Sequence, residues 1–114
     1  MLPDRDGERG SVAAELALAL PAVVLALLLG AGALGAAARQ VALQDATADA
    51  ARLLGRGEDD GAAAHAVTAA VPGAGMTSSS SGDLVCVSAR TDYAIGGFIR
   101  LGLQASSCAL GGGL

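Results

Sequence analysis

Hydrophobic and polar positions divide the chain into three zones. Residues 1–10 are mostly polar, residues 16–38 carry no charged side chain, and charged positions return at Arg39. At 1.5 Å per residue the uncharged run makes roughly 35 Å of helix, which exceeds a bilayer core of about 30 Å. The pattern predicts a leader over residues 1–10 and the transmembrane part of a helix over residues 11–38.

The helical pattern continues beyond the uncharged run and becomes amphipathic over residues 39–56. The apolar stripe of this segment is formed by Leu43, Ala46, Ala50 and Leu53. No turn signal separates the two segments, so we expect one long helix from about Ser11 to Leu54. Its second half would stand out of the membrane and pack against a head.

The remaining residues, 57–114, predict a small head that follows the long helix. Asp60 is expected to cap a short Ala-rich helix over residues 62–70. The Ser- and Gly-rich stretch 73–82 has the composition of a flexible linker.

Two segments near the C-terminus have the composition or alternation of strands, residues 84–88 and residues 98–105, with a turn within 90–97. They predict a hairpin or small sheet laid on the long helix. The expected fold class is therefore α+β.

The two cysteines, Cys86 and Cys108, both follow the apolar run. If they face an oxidising compartment, a disulfide between them is expected. The only histidine, His65, is distant from both in the sequence, so no metal site is expected.

Charge and motif content argue against two classes of function. The formal net charge of −4 leaves no basic patch for nucleic acid. The glycine runs lack the Lys-Ser/Thr ending of a phosphate loop, and no nucleophile has a base and an acid at a recognisable spacing. We therefore expect neither enzymatic activity nor a cofactor.

Basic residues on either side of the apolar run predict its orientation. Arg5 and Arg9 precede the run and Arg39 follows it. Because Lys and Arg favour the cytoplasmic side of a first membrane helix, we expect a single-pass protein of the cytoplasmic membrane. Its N-terminus would be cytoplasmic and its C-terminus extracytoplasmic.

The boundary between leader and apolar run has a specific pattern. Gly10 is followed by Ser11, and Glu15 is the fifth residue after Gly10, at the entrance to the apolar helix. The segment GSVAAELALALPAVV, which includes Pro21 inside the apolar helix, resembles the class III signal of type IV pilins and pseudopilins. Over residues 7 to about 55 the chain resembles TadE-like minor pseudopilins of Flp-type (tight-adherence) pilus systems.

The resemblance implies roles for these residues and a set of partners. A prepilin peptidase would cut after Gly10 and leave Ser11 as the new N-terminus, while Glu15 would act in processing or assembly. Its carboxylate could pair with the Ser11 α-amine of a neighbouring subunit, since unpaired charges are costly in apolar surroundings. The implied partners are that peptidase, the inner-membrane assembly platform, other pilins or pseudopilins and membrane lipid. A later step could extract the chain into a surface pilus.

Two alternatives remain open at the level of sequence. The run Ala36-Ala37-Ala38 forms an A-x-A site before Arg39, as in a secretory signal peptide. Residues 39–114 would then be a small secreted, disulfide-linked protein. The second alternative is an uncleaved single-pass anchor that carries an extracytoplasmic interaction domain.

Overall fold

A computed structural model describes residues 3–112 of the chain as one long helix that carries a small α+β head. The first two leader residues and the last two residues of the chain lie outside this range. Along its principal axes the molecule measures 88 × 20 × 18 Å. The elongated shape arises because only the second half of the long helix contacts the head.

The long helix, α1, spans Pro3–Gly55 without interruption. It begins earlier than the expected Ser11, with Pro3 at its first position, where a missing N–H costs nothing. Pro21 lies inside the helix and does not end it. At the C-terminal end Gly57 adopts a φ of 89° and donates its N–H to the Leu54 carbonyl at 3.0 Å.

The second helix, α2, spans Asp60–Ala70, two residues longer at its start than expected. The predicted cap, Asp60, was wrong by one position. Asp59 has the extended backbone of an N-cap, and its carboxylate accepts the N–H of Ala62 at 2.7 Å. In a run of three acidic residues, the cap is decided by which backbone is extended, and composition does not reveal that.

Three antiparallel strands form one sheet in the order β1-β2-β3, with β1 at Gly75–Ser81, β2 at Leu84–Ile95 and β3 at Ile99–Leu110. The linker predicted at 73–82 is therefore wrong over most of its length, because β1 occupies it. Its backbone pairs with β2 along the whole strand, from Gly75 opposite Arg90 to Ser81 opposite Leu84. Serine is common here because an edge strand with mostly exposed side chains needs little apolar surface.

The β2 and β3 strands are longer than expected, and their turn is shorter. Residues 90–95, predicted as part of a turn, continue β2, and only residues 96–98 separate it from β3. Gly96 and Gly97 take positive φ angles of 62° and 77°, and the Phe98 N–H bonds to the Ile95 carbonyl at 3.2 Å. These two glycines can supply the left-handed backbone that a tight connection needs.

The core lies where the second half of α1 meets α2 and the sheet. The expected stripe is buried at Leu43, Ala46 and Ala50, while Leu53 is half-buried. The largest buried side chains that complete the core are Val67, Val71 and Val87. Because most other members are alanines, the core depends on close packing of a few larger residues.

Candidate functional site

Residues 12–34 of α1 present an exposed apolar surface. Its large hydrophobic side chains are all at least half exposed, and they are Val12, Leu16, Leu18, Leu20, Val23, Val24, Leu25, Leu27, Leu28, Leu29 and Leu34. The most apolar 18-residue window within Gly10–Gly55 has a mean hydropathy of 2.5 and no buried residue. Among the described residues, α1 is the one helix that is both long enough and apolar enough to cross a membrane. Its position near the N-terminus also suits a signal sequence.

Gly10, Ser11 and Glu15 all lie on this helix near its N-terminal end, and all three are exposed. Ser11 and Glu15 are four residues apart, so they share one face of α1. A Cβ atom added to Gly10 would meet nothing within 4 Å, so the glycine is not required by packing within the chain. The helix is continuous across the Gly10–Ser11 peptide bond.

The C-terminal end of β2, next to the β2–β3 turn, packs on α1 at two glycines within the uncharged run. A Cβ on Gly32 would lie 2.5 Å from Cγ2 of Ile95, and one on Gly35 would overlap the Tyr93 hydroxyl. The sheet can approach α1 this closely because both helix positions lack side chains. In the sequence, Gly32 lies four residues before Ala36, and Gly35 lies four residues after Ala31. Small residues at this spacing also suit helix–helix contacts, so the sequence does not indicate a contact with the sheet.

Polar side chains fix the rest of the sheet to α1. Arg39 donates from Nη2 to the Pro72 carbonyl at 3.1 Å and to the Thr91 hydroxyl at 3.3 Å. Gln40 and Gln44, one turn apart, donate to the carbonyls of Gln104 at 2.8 Å and Ser106 at 3.1 Å. The two glutamines thus occupy carbonyls along β3, which would otherwise be the second open edge of the sheet. Sequence reasoning gave none of these three residues a structural role.

The disulfide expected between Cys86 and Cys108 is present. The two residues stand directly opposite each other on β2 and β3, with their Cα atoms 4.0 Å apart. Cys108 is exposed, and the bond lies on the face of the sheet that points away from α1, since the neighbouring Val87 and Ala89 alternate with it and are buried. The crosslink therefore ties the two strands together from outside the core.

Removing the disulfide should weaken the head substantially. The bond closes a loop with a sequence separation of 22, so we expect the Cys86→Ser/Cys108→Ser double variant to lose about 3 kcal/mol of unfolding free energy. Denaturant unfolding followed by fluorescence of Tyr93, the single tyrosine, measures the loss.

The matched control for this variant is the neighbouring cross-strand pair on the same face. Ser88 and Ser106 share a hydrogen bond of 3.2 Å between their hydroxyls. The Ser88→Ala/Ser106→Ala variant should lose about 1 kcal/mol or less, because an exposed neutral hydrogen bond contributes little. Equal losses for the two double variants would show that the crosslink adds nothing beyond a polar pair.

Two of the three acidic residues at 58–60 contribute to the local fold. Asp59 caps α2, and Asp60 accepts a hydrogen bond from the Ser78 hydroxyl of β1 at 3.4 Å. His65 is exposed on α2. Within residues 3–112 no three His, Cys, Asp or Glu side chains are grouped so that they could hold a metal ion.

Comparison of the chain with family models, with curated proteins and with solved structures found no match. The resemblance of residues 7 to about 55 to TadE-like pseudopilins therefore stays a prediction from the sequence.

Proposed function

We propose that this chain is a minor pseudopilin: a non-enzymatic, membrane-anchored structural or assembly component of a Flp-type pilus or a related secretion machine. A prepilin peptidase cuts it after Gly10, and Ser11 becomes the N-terminus. The observation that carries the proposal is the unbroken helix Pro3–Gly55, whose segment 12–34 is apolar and largely exposed and whose second half forms one wall of the head's core. Its other partners are the inner-membrane assembly platform and other pilins.

The exposed apolar segment of α1 suits both the membrane-anchored form and the assembled form of a pseudopilin. In the membrane it contacts lipid, and in an assembly it contacts the same segment of neighbouring subunits. The Glu15 carboxylate lies one turn beyond Ser11 on the same face of the helix. After cleavage, the Ser11 α-amine of one subunit pairs with Glu15 of another, and each charge offsets the desolvation of its partner.

The disulfide supports the proposed orientation. The Cys86–Cys108 bond, in which Cys108 is exposed, would persist in an oxidising compartment and be reduced in the cytoplasm. This agrees with a head on the extracytoplasmic side of the membrane and a leader, with Arg5 and Arg9, in the cytoplasm.

The contacts between the C-terminal end of β2 and α1 favour this proposal over a secreted protein cut after Ala38. Such a cut would remove Gly32 and Gly35 and uncover the surfaces of Ile95 and Tyr93 that pack on them. An uncleaved anchor retains those contacts, so it differs from a pseudopilin only in its N-terminus and in its assembly.

A test of the assembly role is the Glu15→Gln variant, in cells that carry the cognate pilus genes. We expect it to be cut after Gly10 and inserted normally but to lose crosslinking to other pilins, because the neutral amide cannot balance a Ser11 α-amine. The matched control is Glu58→Gln, which removes an exposed carboxylate from the head and should crosslink like the unchanged protein. Unchanged crosslinking of Glu15→Gln would overturn the proposed pairing.

A further inference from the structure

The turn between β2 and β3 ends in exposed apolar side chains. Phe98 is 93% exposed and Ile99 is 50% exposed, although Phe98 is one of only two aromatic residues in the chain. Ile95, on the other side of the turn, is half-buried against α1. Phe98 therefore contributes almost nothing to the core and forms an exposed apolar pair with Ile99 at the end of the sheet.

The position of this turn along α1 places it at the edge of the proposed membrane span. If hydrocarbon begins just after the Glu15 carboxylate, a core of about 30 Å extends over about 20 helical residues, to the level of Gly35. Gly35 is the residue on which Tyr93 packs, and Ile95 packs one turn lower, on Gly32. The turn residues beyond Ile95 are then on the order of 5 Å inside the hydrocarbon boundary.

The charges around the turn agree with that level. Residues 93–99 carry no charged side chain; the exposed Asp92 precedes this stretch and the exposed Arg100 follows it. A basic residue next to a shallowly buried apolar turn is well placed to bind lipid phosphate. Tyr93, with an apolar ring and a polar hydroxyl, suits the interface itself.

We propose that the β2–β3 turn is a second membrane contact, which inserts Phe98 and Ile99 into the outer leaflet of the bilayer that α1 crosses, with Arg100 at the phosphate level. The partner is lipid because Ile95, the residue before the turn, packs on α1 at Gly32, within the segment proposed to cross the bilayer. The inference depends on the membrane-anchored state in the proposed function. It implies that the head is held against the membrane at two points and so cannot tilt freely about α1.

The absence of tryptophan from the chain makes a direct test possible. Three single-tryptophan variants of the full chain are reconstituted in phosphatidylcholine vesicles whose acyl chains carry bromine, a contact quencher, either near the headgroup or near the bilayer centre. Phe98→Trp reports on the turn and Leu25→Trp on the middle of the span. Leu110→Trp, 70% exposed at the opposite end of β3, is the matched control on the head.

We expect Phe98→Trp to be quenched most by bromine near the headgroup, Leu25→Trp most by bromine at the bilayer centre, and Leu110→Trp by neither. If Leu25→Trp is quenched while Phe98→Trp behaves like Leu110→Trp, the turn lies in water and the second contact is wrong, although the anchor stands. If none of the three is quenched, the anchor and the second contact both fail. A Phe98→Trp signal that changes with protein density and not with bromine would assign the turn to a second copy of the chain and overturn the lipid contact.

Discussion

The Gly10→Leu variant should accumulate uncut, with its leader still attached, in cells that carry the cognate prepilin peptidase. The pseudopilin resemblance places the cut directly after Gly10, and a leucine there enlarges the residue that the peptidase has to accommodate. The fold gives no competing reason for a loss of processing, because a Cβ on Gly10 meets nothing within 4 Å. Intact-mass measurement of protein from membranes distinguishes the precursor from the shortened chain.

The control for this variant is Gly30→Leu. Gly30 lies in the same helix, is exposed, and also has open space around an added Cβ. It should be cut as completely as the unchanged protein, since it lies 20 residues from the cleavage site. Normal processing of Gly10→Leu would contradict the assignment of the site, and loss of processing in both variants would point to a general defect of insertion.

The Leu43→Ala variant should lose about 2–5 kcal/mol of unfolding free energy, the range found when a large buried aliphatic side chain is truncated. Leu43 is fully buried and is among the largest side chains of the core. Its buried neighbours include many alanines, which cannot move to fill the cavity. Because a head this small has only a few kcal/mol of net stability, such a loss would leave much of it unfolded. Denaturant unfolding of the full chain in detergent, followed by Tyr93 fluorescence, measures the change.

Val41→Ala is the matched control, since Val41 lies two residues away on the same helix and is 61% exposed. It should change the unfolding free energy by about 0.5 kcal/mol or less. Similar losses at the two positions would mean that this half of α1 does not form the wall of the core.

The sequence alone predicted the elements whose signals are local. An apolar run without charges predicts a helix wherever it occurs, and the spacing of Leu43, Ala46 and Ala50 gives the buried face of its second half. The same holds for the short Ala-rich helix and for the existence of β2 and β3. The two cysteines of the chain have only each other as partners, so a Cys86–Cys108 bond could also be expected if they face an oxidising compartment.

Features that depend on pairing between distant residues could not be predicted in the same way. The serine run 78–81 becomes part of β1 only because β2 lies beside it, and nothing in its own composition favours a strand. Gly32 and Gly35 gain their role from Ile95 and Tyr93, which lie about 60 residues later in the chain. The exposure of Phe98 follows from the position of the turn, so the proposed second membrane contact needed the structure.

The N-terminal sequence of the mature protein tests the central claim most directly. It is determined on the chain isolated from membranes of cells that carry the cognate peptidase. A chain that begins at Ser11 is the predicted result and would leave Glu15 at its fifth position, beside a new α-amine. A chain that begins at Arg39 would contradict a pseudopilin in favour of a secreted protein, and an intact Met1 terminus would contradict it in favour of a simple anchor.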